Sequence, residues 1–135
     1  MPVKYHISPV EASKLLFKAA ERGDLPAVKR AISQGAHLNA RDMDGSTALI
    51  YTANNGHPEV AKYLLDAGAH VNAKTEAGWT ALMYAAWKGD LVMAKLLIEK
   101  FADLSAKDAD GRTALSIALR HGHKDVADLF KEQKE

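Results

Sequence analysis

His121 and His123 form the closest histidine pair in the chain, and two imidazoles flanking Gly122 are the most obvious candidates for metal ligation. No carboxylate or cysteine cluster joins them to complete a coordination sphere. His37 and His70 lie 33 residues apart at matching points of a repeating frame, with Asp103 in the third copy, so repetition accounts for them better than catalysis. Ser46, Ser105 and Ser116 stand in no context that would activate a hydroxyl nucleophile. The glycines fall at turn offsets, not in a strand-to-helix phosphate cradle. The absence of cysteine removes a disulfide framework, a thiol nucleophile and a Cys-rich zinc site together. The expectation is therefore a protein that is not an enzyme, with no catalytic residue, no metal site and no cofactor.

The elements that position these residues are set by two markers with one period. Gly45-Ser46-Thr47-Ala48-Leu49 returns as Gly78-Trp79-Thr80-Ala81-Leu82 and as Gly111-Arg112-Thr113-Ala114-Leu115, each 33 residues from the last. Gly23-Asp24, Gly56-His57, Gly89-Asp90 and Gly122-His123 keep the same step without insertion or deletion. A period in this range signals a stacked array of supersecondary units.

Within each unit the local chemistry predicts helices. Ser8-Pro9-Val10-Glu11 reads as a capping box with proline at the first helical position, so a helix starts at Pro9 and ends at Gly23. Asp24 caps a second helix that tolerates Pro26 in its first turn and ends at Gly35. Thr47, Thr80 and Thr113 occupy N-cap positions, and His57 and His123 are read as polar caps at the position of Asp24 and Asp90. Leu49, Leu82, Leu115, Ala53 and Ala86 recur in frame and form the expected seam between units. Val60, Tyr63, Leu64 and Leu65, then Met93, Leu96, Leu97 and Ile98, then Val126, Leu129 and Phe130 supply the matching layer on the second helices. One pair of short helices cannot bury such faces alone, so the units must stack.

Composition agrees with this. At 47% hydrophobic and 26% charged the chain has an ordinary globular balance, and no apolar run is long enough to span a bilayer. Its first nine residues contain no apolar segment of signal-peptide length, so a cytoplasmic location is expected. The net charge of +1 favours neither nucleic acid nor acidic substrates. Residues 1–41 hold seven Lys/Arg against three Asp/Glu, but no aromatics are interleaved as a nucleic-acid patch would need, so that surplus reads as a solvated face.

On these residues the chain resembles the ankyrin-repeat family over nearly all its length. The resemblance implies an all-α solenoid of stacked helix-turn-helix units joined by short β-hairpin-like loops. One domain over 1–135 divides into an N-terminal cap (1–41), repeats at 42–74 and 75–107, and a C-terminal cap (108–135). Lys131, in the frame position of Leu65 and Ile98, gives that last unit a polar outer face and is read as the end of the array. Two departures stand out. After the capping threonine the chain has Ala-Leu followed by Ile50, Met83 or Ser116, where family members usually have Pro-Leu-His, which implies a lost side-chain hydrogen bond. Phe101 replaces the glycine found at 35 and 68, and it is expected either to pack on the following unit, the favoured reading, or to stand exposed as a contact for a partner.

The resemblance also implies where a partner would lie, along the hairpin tips and the concave face made by the first helices. The positions are those flanking the turn glycine and those just before the glycine that ends the first helix. They are Met43, Asp44, Ser46, Asn54 and Asn55 in the second unit and Glu76, Ala77, Trp79, Trp87 and Lys88 in the third. In the fourth they are Asp110, Arg112, Arg120 and His121, with Ala109 beside them, and Glu21 and Arg22 are the helix-end pair of the first. The expected role is a non-catalytic, monomeric module that binds another protein and neither nucleic acid nor membrane. The alternatives are a regulatory or inhibitory subunit of an enzyme complex, or an engineered binding scaffold. Against the last, the second and third units differ at many framework positions that a consensus design would unify.

Overall fold

A computed structural model describes residues 7–133. The opening residues on which the cytoplasmic expectation partly rests, 1–6, and the final pair, 134–135, lie outside the described residues. Among the described residues eight helices pair off in sequence: α1 (Pro9–Arg22) with α2 (Leu25–Ser33), α3 (Ala48–Asn55) with α4 (Pro58–Asp66), α5 (Ala81–Lys88) with α6 (Leu91–Glu99), and α7 (Ala114–Arg120) with α8 (Lys124–Glu132). No strand occurs among the described residues.

Six of these helices begin where a short polar side chain satisfies a free amide. Ser8 Oγ accepts from the Glu11 amide at 3.1 Å while Glu11 Oε1 accepts from the Ser8 amide at 3.3 Å, closing the capping box of α1. Thr47, Thr80 and Thr113 accept from the amides of Ile50, Met83 and Ser116 at 3.2 to 3.3 Å. At the positions where the family's histidine is missing, Ile50 and Met83 are buried instead, and the Ser116 hydroxyl accepts from the Thr113 amide at 2.9 Å as a second capping box. Asp24 and Asp90 cap α2 and α6 by accepting from Ala27 and Met93.

His57 and His123 do something else at the equivalent position. Neither makes a side-chain cap bond. Each ring reaches back to the preceding pair, where Nε2 lies 2.8 Å from the Glu21 carbonyl and 2.9 Å from the Trp87 carbonyl respectively. A carbonyl can only accept, so Nε2 carries the proton in both rings. These histidines are ties between neighbouring units, not caps of their own helices.

The first helices stack in a continuous row, α1 on α3, α3 on α5 and α5 on α7, whereas the second helices touch their neighbours more sparsely. Leu49 and Leu82 are buried in this row, and Leu115, with no described unit beyond it, is half-buried. Val28, Val60, Leu64, Met93, Leu97, Val126 and Phe130 fill the layer beneath. Three tight loops line the opposite edge. In each, the first amide donates to the carbonyl four residues on: Asp42 to Ser46 at 3.0 Å, Thr75 to Trp79 at 2.9 Å and Asp108 to Arg112 at 2.9 Å. Each loop is also tied to the next by one backbone bond, from Glu76 to the Asp44 carbonyl and from Ala109 to the Ala77 carbonyl, both 3.0 Å.

Phe101 departs from its favoured sequence expectation. It is 86% exposed and does not pack on the last unit. Its backbone keeps the left-handed conformation of the glycines it replaces, with φ at +70°. The Phe101 and Ala102 amides donate to Ile98 and Leu97 just as Gly68 and Ala69 donate to Leu65 and Leu64. The closing turn is fixed by these bonds, so the phenyl group is carried in a backbone region that costs a residue with a Cβ about 1 kcal/mol. Phe101→Gly is therefore expected to raise stability by about 1 kcal/mol in equilibrium urea unfolding. A loss of stability would restore a packing role.

Candidate functional site

The densest group of large side chains at the surface belongs to the third unit. Trp79 follows the turn glycine of its loop, and Tyr84 and Trp87 stand three residues apart on α5, hence on one face of that helix. The Trp79 and Tyr84 rings meet edge to face, with centroids 4.9 Å apart at 61°. Trp87 closes the group at 6.1 Å from Trp79, nearly perpendicular to it, and at 6.4 Å from Tyr84. Such tilted pairs are the arrangement that aromatic quadrupoles prefer. Trp87 remains 40% exposed, and Lys88 Nζ sits 4.7 Å from the centre of its ring.

Trp79 is fixed from the neighbouring loop. Its indole Nε1 donates to Asp108 Oδ2 at 2.9 Å. The Asp108 side chain is 1% exposed and also accepts from the amides of Asp110 and Arg112 at 2.9 and 2.8 Å and from Arg112 Nε at 3.1 Å. Burial pushes its carboxyl upward, but the two amides, the indole and the Arg112 guanidinium outweigh that and hold it below the usual carboxylate range. Asp108 is thus a charged post on which a tryptophan of one unit and an arginine of the next are both hung.

Together these residues form an open groove of about 410 Å³ lined by Ala77, Trp79, Tyr84, Trp87, Arg112 and His121. One wall comes from the third unit and the other from the fourth. The His123 tie to the Trp87 carbonyl holds the walls together at the helix ends, and the His121 and His123 rings lie 6.5 Å apart, nearly parallel. The groove offers an aromatic floor with hydrogen-bonding groups at its rim, and no nucleophile activated by a neighbouring base lies along it. No group of three or more His, Asp or Glu among the described residues is arranged to hold a metal.

The residues singled out from the sequence separate into three sets. Ala77, Trp79, Trp87, Arg112 and His121 share the groove, and Lys88 lies against Trp87 at its edge. Arg112 is not a free cation there, since besides Asp108 it pairs with Asp110 at 2.6 Å. Arg120 ends α7 exposed and does not line the groove, and Glu76 is an exposed loop residue. Met43, Asp44, Ser46, Asn54 and Asn55 are elsewhere. The Asp42 carboxylate accepts from the amides of Asp44 and Ser46, both at 2.9 Å, and from the Tyr51 hydroxyl, leaving Met43 at the tip 93% exposed. Asn55 donates to the Tyr51 carbonyl of its own helix, and with Asn54 and Lys88 it lines a separate polar hollow of about 430 Å³.

Tyr84 and Asp108 are absent from the sequence reading, although one completes the aromatic floor and the other anchors it. Tyr84 could have been found from its spacing to Trp87, and from Tyr51, its in-frame counterpart, which pairs with Phe17 at 5.6 Å. The Asp-x-Asp-Gly pattern that Asp108 shares with Asp42 marks a turn, but nothing local marks its bond to an indole 29 residues earlier.

A family model for ankyrin repeats, built as three copies, matches residues 16–108 and 76–135 of the chain. No curated protein matches it. Among the described residues no helix is long and apolar enough to cross a membrane.

Proposed function

The chain belongs to the ankyrin-repeat family, and from that premise we propose that it is a non-catalytic binding module that docks a partner protein on the groove between its third and fourth units. Ankyrin repeats are generally protein-protein interaction modules and are typically not enzymes. The observation that carries the finer reading is the Trp79, Tyr84 and Trp87 cluster, preorganised by Asp108 and left open to solvent. Large aromatic groups already held in place cost little conformational entropy on binding, and tryptophan and arginine are the types most enriched at binding hot spots. Lys88 at the edge of the groove, with Arg120 exposed at the end of α7 outside it, favours a partner that presents an aromatic or aliphatic anchor beside carboxylates. The proposal includes a monomeric state, a cytoplasmic setting, and two internal units enclosed by the caps at 1–41 and 108–135.

Affinity capture from native lysate followed by titration of the purified partner tests this. Trp87→Ala combined with Arg120→Ala is expected to weaken binding by about 2 kcal/mol, roughly 30-fold, with the helical signal unchanged. The control joins Lys62→Ala to Lys95→Ala, exposed positions on α4 and α6, and leaves affinity as it was. Equal losses in the two pairs, or none in the first, would place the contact elsewhere.

A further inference from the structure

We propose that the α1/α2 pair carries a second site, for a phosphoryl group, formed by Lys18, Arg22 and Arg30. A hollow of about 470 Å³ opens between these helices. Its polar lining is Lys18, Arg22, Arg30 and Gln34, and its apolar wall is Leu15, Ala27 and Ala31. Lys18 and Arg22 are four residues apart on α1, and Arg30 and Gln34 are four apart at the end of α2, so each pair shares one helix face. Four hydrogen-bond donors, three of them cationic, therefore line one concavity, and no carboxylate does.

The first unit has three acidic residues, and none neutralises the cluster. Glu11 is spent in the capping box with Ser8, Asp24 accepts from the Ala27 amide, and Glu21 makes no ion pair among the described residues. Lys18, Arg22 and Arg30 likewise have no ion-pair partner among the described residues. A terminal unit needs a polar outer face for solubility, but that need is met by charges of mixed sign, as on α8, where Lys124 pairs with Asp128 at 2.9 Å one turn on. At the N-terminal end the same one-turn spacing holds two cations, an arrangement that works against the isolated helix. A bound dianion converts that repulsion into attraction.

The chemistry of the lining selects the ligand. Two guanidinium groups can each offer a fork of N–H donors to phosphate oxygens, the lysine adds a point charge, and Gln34 adds a neutral donor. Two negative charges on one small group match this set better than a single carboxylate. The hollow extends past the cations onto Leu15, Ala27 and Ala31, which suits a phosphate monoester carried on an organic group. That group can be a small molecule or a phosphorylated side chain of another protein. The site shares no residue with the aromatic groove, so either assignment can fail alone.

The test titrates the full chain with phenyl phosphate, with a short phosphoserine peptide flanked by alanine and leucine, and with the same peptide unphosphorylated. Amide and arginine side-chain NMR shifts and melting temperature are the readouts. Saturable shifts at Lys18, Arg22 and Arg30 are expected with phosphorylated probes only, together with a rise in melting temperature. Arg22→Gln and Arg30→Gln are each expected to weaken binding at least about tenfold and to abolish the thermal shift, while Arg22→Lys retains part of both. Tighter binding of the phosphopeptide than of phenyl phosphate assigns the site to a protein side chain, and equal binding assigns it to small molecules. No saturable shift with either phosphorylated probe at millimolar concentration would overturn the proposal. So would equal binding of the unphosphorylated peptide, or unchanged affinity in both glutamine variants.

Discussion

Leu82→Ala is expected to lower stability by roughly 2 to 5 kcal/mol, the range for truncating a fully buried leucine whose surroundings cannot collapse into the space. Leu82 is 1% exposed on α5, the helix clasped between α3 and α7, so its side chain belongs to the interfaces on both sides. In a stacked array stability is carried by nearest-neighbour interfaces, and the loss of one residue is felt by two of them. Leu115 has the same frame position but is half-buried, with no described unit beyond it. Leu115→Ala should therefore cost distinctly less. Urea unfolding of the two variants decides the matter, and equal losses would contradict the stacking order.

Gly78→Ala is expected to cost about 3 kcal/mol, from two contributions of similar size. The residue has φ at +83°, where a Cβ adds about 1 to 2 kcal/mol of strain. An added Cβ would also lie 2.9 Å from Asp108 Cα and 3.0 Å from the Ala109 nitrogen, both backbone atoms that no rotamer change can move. Overpacking of that kind adds about 1 to 3 kcal/mol. Relief would require the third and fourth loops to part, stretching the bond from the Ala109 amide to the Ala77 carbonyl and the one from Trp79 to Asp108. The variant should accordingly lose Trp79 fluorescence anisotropy as well as stability. At Gly111 an added Cβ meets nothing within 4 Å, so Gly111→Ala should show the strain alone. Identical losses in the two variants would remove the close-approach argument.

The parts of this structure that were legible in the sequence are those decided within a few residues. Thr47, Thr80 and Thr113 cap their helices because a hydroxyl reaches an amide three positions on, and that chemistry is written locally. Leu49 and Leu82 were legible as seam residues because a repeated frame repeats its environment. Interactions that cross from one unit to the next were not. His57 and His123 look like caps until the carbonyl that each contacts, 36 residues upstream, is in place. Nothing near Trp79 in the sequence points to Asp108 in the next unit, to which its indole is bonded; the pairing of Arg112 with Asp108 and Asp110 stays within one loop and was missed although its spacing is local. Phe101 misled for a different reason. Its hydrophobicity argued for burial, while hydrogen bonds fixed its left-handed backbone in a loop that points the ring to solvent.

The uneven stacking of the two helix rows has a mechanical consequence. Close contact along α1, α3, α5 and α7 makes that row the stiff spine of the array. The second helices meet sparsely on one side of it, and the loops on the other side are joined by one backbone bond and a few side-chain bonds per step, Trp79 to Asp108 among them. Bending about the spine therefore opens or closes the outer rows at low cost, while sliding one unit past another would break the buried seam. The protein should behave as a leaf spring whose curvature adjusts and whose register does not, so that a ligand wedged between the third and fourth units can change the arc of the whole array without unstacking it.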